Sequence, residues 1–179
     1  APISLITKMS YLFLVRQSLP VKNLKGLAEY AKSNPGKLTY GSAGIGSAGH
    51  LAGELFKNLA KVNILHVPYK GGGPALIAVM GSEVDMITLG VPASWAQIQA
   101  GKLRIFAVLS KERTQLLPHV PTAIEEGIPN YVVDGWYGLL APAGTPREIL
   151  TRLSTEWNMI ASMPDTKEQM HKAGFEPLS

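Results

Sequence analysis

Cysteine is absent from this chain. That excludes thiol nucleophiles, disulfides and cysteine-ligated zinc, and it fits either redox compartment. Charge is sparse: Asp, Glu, Lys and Arg make up 17% of the 179 residues, so broad solvated faces are few. Aromatics contribute only 7%, and the net charge of +4 comes from scattered lysines rather than a basic arm. No nucleic-acid partner is expected from that distribution. Long apolar runs are also missing. Mean hydropathy is +0.10, yet no stretch reaches the ~18 residues of a membrane span. The histidines are far apart and form no H-x-x-x-H, so no metal site is expected. The opening segment APISLITKMSYLFLVRQ has neither a basic leader nor a cleavage-site tail and does not read as a signal peptide.

What the chain does have is glycine, placed at regular points between apolar runs. Residues 2–7 and 11–15 read as strands. NLKGLAEYAKSN then sets Leu24, Leu27, Ala28 and Ala31 on one helical face, and Asn34-Pro35-Gly36 ends it. KLTYGSA is a short strand entering a glycine turn, and Ser47 caps a helix carrying Leu51, Leu55, Phe56 and Leu59. VNILHVPY, VDMITLG and LRIFAVLS read as further strands, with PALIAVM and PASWAQIQA as the helices between them. Strand, glycine turn and helix recurring at roughly 20 to 30 residues indicate parallel α/β layering. Continuous apolar strands indicate helices on both faces of the sheet. Beyond Ser110 the pattern predicts a short helix around Ala123–Glu126 and a long strand in YVVDGWYGLLAPAGTP. Helices from Pro146 to about Met163 and from Pro164 to about Ala173 follow.

The richest stretch is YGSAGIGSAGHLAGELF, which contains a formal G-x-G-x-x-G from Gly44 to Gly49. A dinucleotide turn would need an acid at the end of the next strand to hold a ribose hydroxyl. NILHVPY and the residue after it offer His66, Tyr69 and Lys70 instead, with no carboxylate. The other reading is a small anion held at the helix N-terminus by bare backbone N–H groups. Ser42, Ala43, Gly44, Gly46, Ser47 and His50 would form that site, with glycines admitting the ligand to the backbone and both serines donating hydroxyls. A plain helix cap on a tight turn is the alternative, though it would need fewer glycines. VPYKGGGPA repeats the design with Tyr69, Lys70 and Gly71, and a flexible turn with a solvated lysine is the alternative there. Thr88 ends a third strand, at the same carboxyl edge of an open parallel sheet, where ligands bind. No catalytic group is assigned: Ser47 lacks the G-x-S-x-G spacing of a nucleophile elbow. Asp85, at a strand start on the opposite edge, reads as a cap. Asp134 is a residue that could face a cleft and Trp136 and Tyr137 could pack there too, although a tryptophan in a long strand reads as core.

Several stretches together carry a resemblance. LPVKNLKGLAEYAKSNPGKLTYGSAGIGSAGHLAGELF, ILHVPYKGGGPAL, LRIFAVLSKERTQLLPHVPTAIEEGIPNY and WYGLLAPAGTP resemble, in this order, the substrate-binding proteins of tripartite tricarboxylate transporters, the Bug family. The likeness covers nearly the whole chain. It implies a two-lobed periplasmic binding protein of the type II class that closes on a small carboxylate, needs no cofactor and performs no chemistry. The implied ligands are di- or tricarboxylates, acidic amino acids or aromatic acids, delivered to membrane permease subunits. The family's Y-G-S-A-G turn falls on Tyr40 through His50, its V-P-Y-K-G segment on Val67 through Gly71, and its A-P-A-G-T-P turn on Ala141 to Pro146.

The family also implies a leading segment that nothing here matches. The expectation is therefore one complete ligand-binding lobe at residues 18–132. Residues 1–17 and 133–179 would supply crossing strands and an incomplete other lobe, whose exposed core favours self-association. A nucleotide-dependent oxidoreductase using the G-x-G-x-x-G turn is the alternative function.

Overall fold

The computed structural model describes residues 1–177. It divides into two compact units, Ser10–Asp134 and a smaller one that joins Ala1–Met9 to the segment from Gly135 on.

The elements of the larger unit follow the expected alternation. They are the C-terminal part of β1 (Pro2–Val15), α1 (Leu24–Ser33), β2 (Thr39–Ser42), α2 (Ala48–Ala60), β3 (Leu65–Pro68), α3 (Gly72–Met80), β4 (Met86–Gly90), α4 (Val91–Gln99) and β5 (Arg104–Val108). The strand order is β3-β2-β4-β1-β5. β2 is parallel to β3 and to β4, as the helical crossovers require. The sheet is nevertheless mixed rather than wholly parallel, because β1 lies antiparallel between β4 and β5.

β1 also corrects the expected segmentation. Residues 2–15 form one unbroken strand, and its Leu12-Phe13-Leu14-Val15 run is fully buried in the middle of the sheet. The larger unit takes β1 from Ser10 on. Alternate side chains enter opposite cores, as the two-residue period of a strand demands. Phe13 and Val15 join α1 and α2 residues such as Leu27 and Phe56, whereas Leu12 and Leu14 join Ala75 and Val79 of α3. Helices therefore cover both faces, as the apolar strands indicate.

At the start of β4, Asp85 is more than a cap. Its carboxylate accepts from Arg16 Nε at 2.8 Å and from the Thr39 N–H at 2.8 Å, tying β1, β2 and β4 together. Residues 123–127 form a turn, not the expected short helix. There Thr122 Oγ1 accepts from the Glu125 N–H while Glu125 Oε2 accepts from the Thr122 N–H, a reciprocal cap with little helix behind it.

In the smaller unit, β6 (Asp134–Leu140) and β7 (Glu176–Pro177) both pair with β1, and α5 (Arg147–Ser162) and α6 (Pro164–Lys172) lie between them in sequence. Trp136 is 62% exposed on β6, so it is not the core residue its type suggests. None of the residues of α5 is buried, although Ile149, Leu153 and Ile160 repeat at helical spacing.

Candidate functional site

The site is built where β2 runs into α2. Tyr40 and Ser42, two residues apart, share one face of β2, and α2 packs across that face. The parallel register sets Tyr40 beside His66 of β3. On α2, His50, Glu54 and Lys57 recur at helical intervals and so project along one side of the helix. The outcome is a polar cluster under the glycine turn. Tyr40 Oη donates to Glu54 Oε1 at 2.6 Å, and Lys57 Nζ reaches the same oxygen at 2.7 Å. The His66 ring stacks on Tyr40 with centroids 4.7 Å apart and meets His50 at 4.3 Å.

These contacts set the local electrostatics. Burial, then the hydrogen bond to Glu54, raises the Tyr40 phenol far above its ordinary range. Burial acts to raise Glu54, but hydrogen bonds from Lys57 and Tyr40 prevail and hold it below the usual carboxylate range. Burial, followed by the nearby charge of His50, holds His66 below the usual histidine range. The cluster thus pairs an ionised carboxylate with Lys57 and keeps a neutral imidazole beside Ser42.

Above it, the turn is closed by its own groups. Gly44 and Gly46 have φ values of +127° and +79°, the left-handed side that glycine tolerates. The Gly44 N–H donates to Ser42 Oγ at 3.1 Å, and the Gly46 N–H donates to His50 Nδ1 at 3.2 Å. Ser47 is the N-cap of α2: its Oγ accepts from the His50 N–H and donates to the Gly44 carbonyl at 2.7 Å. The Ser47 N–H also goes to the Gly44 carbonyl. The turn's internal bonds therefore consume the amides of Gly44, Gly46, Ser47 and His50. Ala48 and Gly49, the first two helical residues, keep N–H groups that find no partner within the helix. The first turn of α2 contains no acidic side chain to compete with an anion for the positive end of the helix dipole.

The expected site residues divide accordingly. Ser42, Ala43, Gly44, Gly46, Ser47 and His50 come together at this turn, and the second turn joins them. The Tyr69 N–H donates to the Ser42 carbonyl at 3.0 Å, and the Gly71 N–H donates to the Ala43 carbonyl at 3.2 Å. Lys70, between them, is exposed. Two residues turn inward instead. Ser42 is fully buried, with its hydroxyl engaged inside the turn. Thr88 is 3% exposed and donates its hydroxyl to the Gly49 carbonyl at 2.8 Å, so it fastens α2 to β4 rather than presenting a donor.

His66 and Glu54 are not singled out by sequence reasoning. The available signal is combinatorial: His50 and Glu54 four residues apart on a helix, facing a strand that carries Tyr40 and Ser42. The dinucleotide alternative gains nothing, because β3 spans Leu65–Pro68 and carries no carboxylate. Among the described residues no group of three or more His, Cys, Asp or Glu could hold a metal ion.

Known proteins share this architecture. The Rhodopseudomonas palustris protein Rpa4515, solved with adipate, superposes with a TM-score of 0.94 and 37% identity over 98% of this chain and 59% of that one. MatC from the same species, solved with bound malate, gives a TM-score of 0.90 and 33% identity over 97% of this chain and 59% of its own. A curated relative, a UPF0065 protein of Bordetella pertussis, is 35% identical over 98% of this chain and 54% of its own length. The chain thus spans about half the length of the curated relatives it matches. Residues 1–179, the entire chain, match the family described as tripartite tricarboxylate transporter family receptor, and the protein belongs to that family of solute-binding receptors rather than to an enzyme family.

Proposed function

We propose that this chain is part of an extracytoplasmic solute-binding receptor that captures a small carboxylate at the β2–α2 turn. The receptor would act in the periplasm and hand its ligand to the membrane subunits of a tripartite tricarboxylate transporter. The observation that carries this reading is the start of α2. It has a serine cap, glycines admitting close approach, N–H groups of Ala48 and Gly49 unclaimed by the helix, and no acid in the first turn. Such a terminus attracts an anion by dipole and hydrogen bonds without a fixed cation. The adipate and malate in the two related structures support a carboxylate as that anion. Tyr69, Lys70 and Gly71 lie on the neighbouring turn and would supply further contacts, with Lys70 available to a second carboxylate.

Titration of the isotope-labelled chain with malate, adipate and NAD tests this. The dicarboxylates should shift the amide resonances of Ile45 through Gly49, and a ligand at a hundred times its dissociation constant should add about 2.7 kcal/mol of stability. Shifts caused by NAD alone, or by none of the three, would remove the carboxylate reading.

A further inference from the structure

Ser42 is polar, fully buried, and in contact with three groups at once. Its Oγ lies 2.6 Å from His66 Nε2, accepts from the Gly44 N–H at 3.1 Å and donates to the Gly44 carbonyl at 3.1 Å. A hydroxyl has one proton to give and two lone pairs to receive. All three contacts are satisfied together only when His66 Nε2 carries a proton and donates it to Ser42, which frees the serine proton for Gly44. The same Gly44 carbonyl then receives both the N–H and the hydroxyl of Ser47, the residue that caps α2. A continuous chain of hydrogen bonds thus runs from His66 through Ser42 and Gly44 to the first turn of the helix. A second branch runs through His50, which packs on the His66 ring and accepts the Gly46 N–H.

We propose that His66 is the positioning residue of the anion-binding turn: from beneath, it fixes both Gly44 and Gly46, and so the direction in which the α2 amides point. His66 touches no ligand in this scheme. The inference rests on the reading of the turn as a carboxylate site, and it says which buried group shapes that site. The Tyr40 stack and the His50 contact hold the ring in place, while Glu54 and Lys57 act on it electrostatically. Its displacement below the usual histidine range agrees with a neutral ring carrying one proton near neutrality.

Three variants of the whole chain separate the roles of His66. His66→Phe keeps a ring for Tyr40 and His50 but removes the donor. His66→Gln returns an N–H at a reach close to Nε2. Ser42→Ala breaks the chain one link later and serves if His66→Phe does not fold. Without any ligand, His66→Phe or Ser42→Ala should move the Gly44 and Ser47 amide resonances and speed hydrogen exchange at Gly44 roughly fivefold, equivalent to a lost bond of about 1 kcal/mol. His66→Gln should restore both. Malate affinity should fall with His66→Phe and Ser42→Ala and recover with His66→Gln. Unchanged Gly44 and Ser47 amides in His66→Phe, or no recovery in His66→Gln, would overturn the assignment. If malate fails to bind the unaltered chain, the carboxylate reading falls, and the ligand-free resonances still decide the role of His66.

Discussion

A Cβ placed on Gly49 would lie 2.7 Å from the carbonyl oxygen of Thr88. That approach is closer than real Cβ atoms come to any atom, and the obstacle is backbone of a central strand. Gly49, the last glycine of the G-x-G-x-x-G, is therefore there so that α2 can lie against β4. Its own carbonyl accepts the buried Thr88 hydroxyl in the same contact. Gly49→Ala should lower stability by about 1–3 kcal/mol through overpacking, read as a shift of the urea midpoint. A midpoint equal to that of the unaltered chain would show that α2 can move off the sheet at no cost.

Gly53 has the same role one turn further along α2, against the Tyr40 ring. A Cβ there would come within 2.3 Å of the ring, which cannot retreat freely because its hydroxyl is bonded to Glu54 and its face to His66. Gly53→Ala should destabilise the chain and also move the His66 ring resonances, since the displaced tyrosine carries the histidine with it. A stability loss with silent His66 signals would separate the helix contact from the polar cluster.

Ser47 serves both the helix and the turn with one side chain. Ser47→Ala removes the acceptor for the His50 N–H and a donor to the Gly44 carbonyl. Loss of the cap should cost about 1 kcal/mol of stability, and malate binding should weaken as well. Ser47→Asp would retain an acceptor for the cap while placing a negative charge where the ligand carboxylate is proposed to sit. Near-normal stability with abolished malate binding is the expected result, and denaturation curves paired with titrations measure both. Malate binding that survives Ser47→Asp would move the ligand away from this turn.

Helices are plain in the sequence where spacing and punctuation agree. Leu24, Leu27, Ala28 and Ala31 fall on one face, with Asn23 capping and Asn34-Pro35-Gly36 closing, and α1 occupies that span. The glycine turn is equally visible, since few uses other than a close backbone approach require so many glycines. Strand direction is not visible. LFLV in β1 is buried on both faces whichever way it runs, so apolarity could not reveal the antiparallel pairing with β4 and β5. Trp136 departs from expectation because residue type reports what a side chain prefers, not what surrounds it in this chain. The polar cluster is hidden for a different reason. Tyr40, Ser42, His50, Glu54 and His66 come from three elements, and only the β2–β3 register brings them within bonding distance.

Acid should loosen this fold through that cluster. For His66 the folded value lies below the ordinary 6.5 because burial disfavours the cation. Between the two values the unfolded chain binds more protons than the folded one, so stability rises with pH through this window and is lost on acidification. Glu54 adds to the loss at lower pH: its folded value is below 4.5, so its contribution disappears as pH falls through that range. His66→Gln should flatten the slope just below pH 6.5 without altering the later fall. Denaturation midpoints collected across this range would show it, and an unchanged slope would mean that His66 is protonated alike in both states.

An aromatic trio in the core holds α2 over the sheet. Phe13, Phe56 and Tyr131 compose it, with centroids 5.0 Å apart for Phe13–Phe56 and 5.6 Å for Phe56–Tyr131. All three are buried, and Tyr131 Oη donates to the Ala52 carbonyl of α2 at 3.0 Å. Tyr131 thus links the chain leaving the sheet to the helix that carries the turn. Tyr131→Phe keeps the ring and loses only that hydrogen bond, which is worth roughly 0.5–1.5 kcal/mol. Phe13→Ala removes one whole ring of the trio and should cost about 3–5 kcal/mol. Because Phe13 lies on β1 and Phe56 on α2, the larger loss should also broaden the Gly44 and Gly46 amide resonances. The smaller one should leave them sharp. Equal effects of the two substitutions would mean that the hydrogen bond to Ala52, rather than the packing, anchors α2.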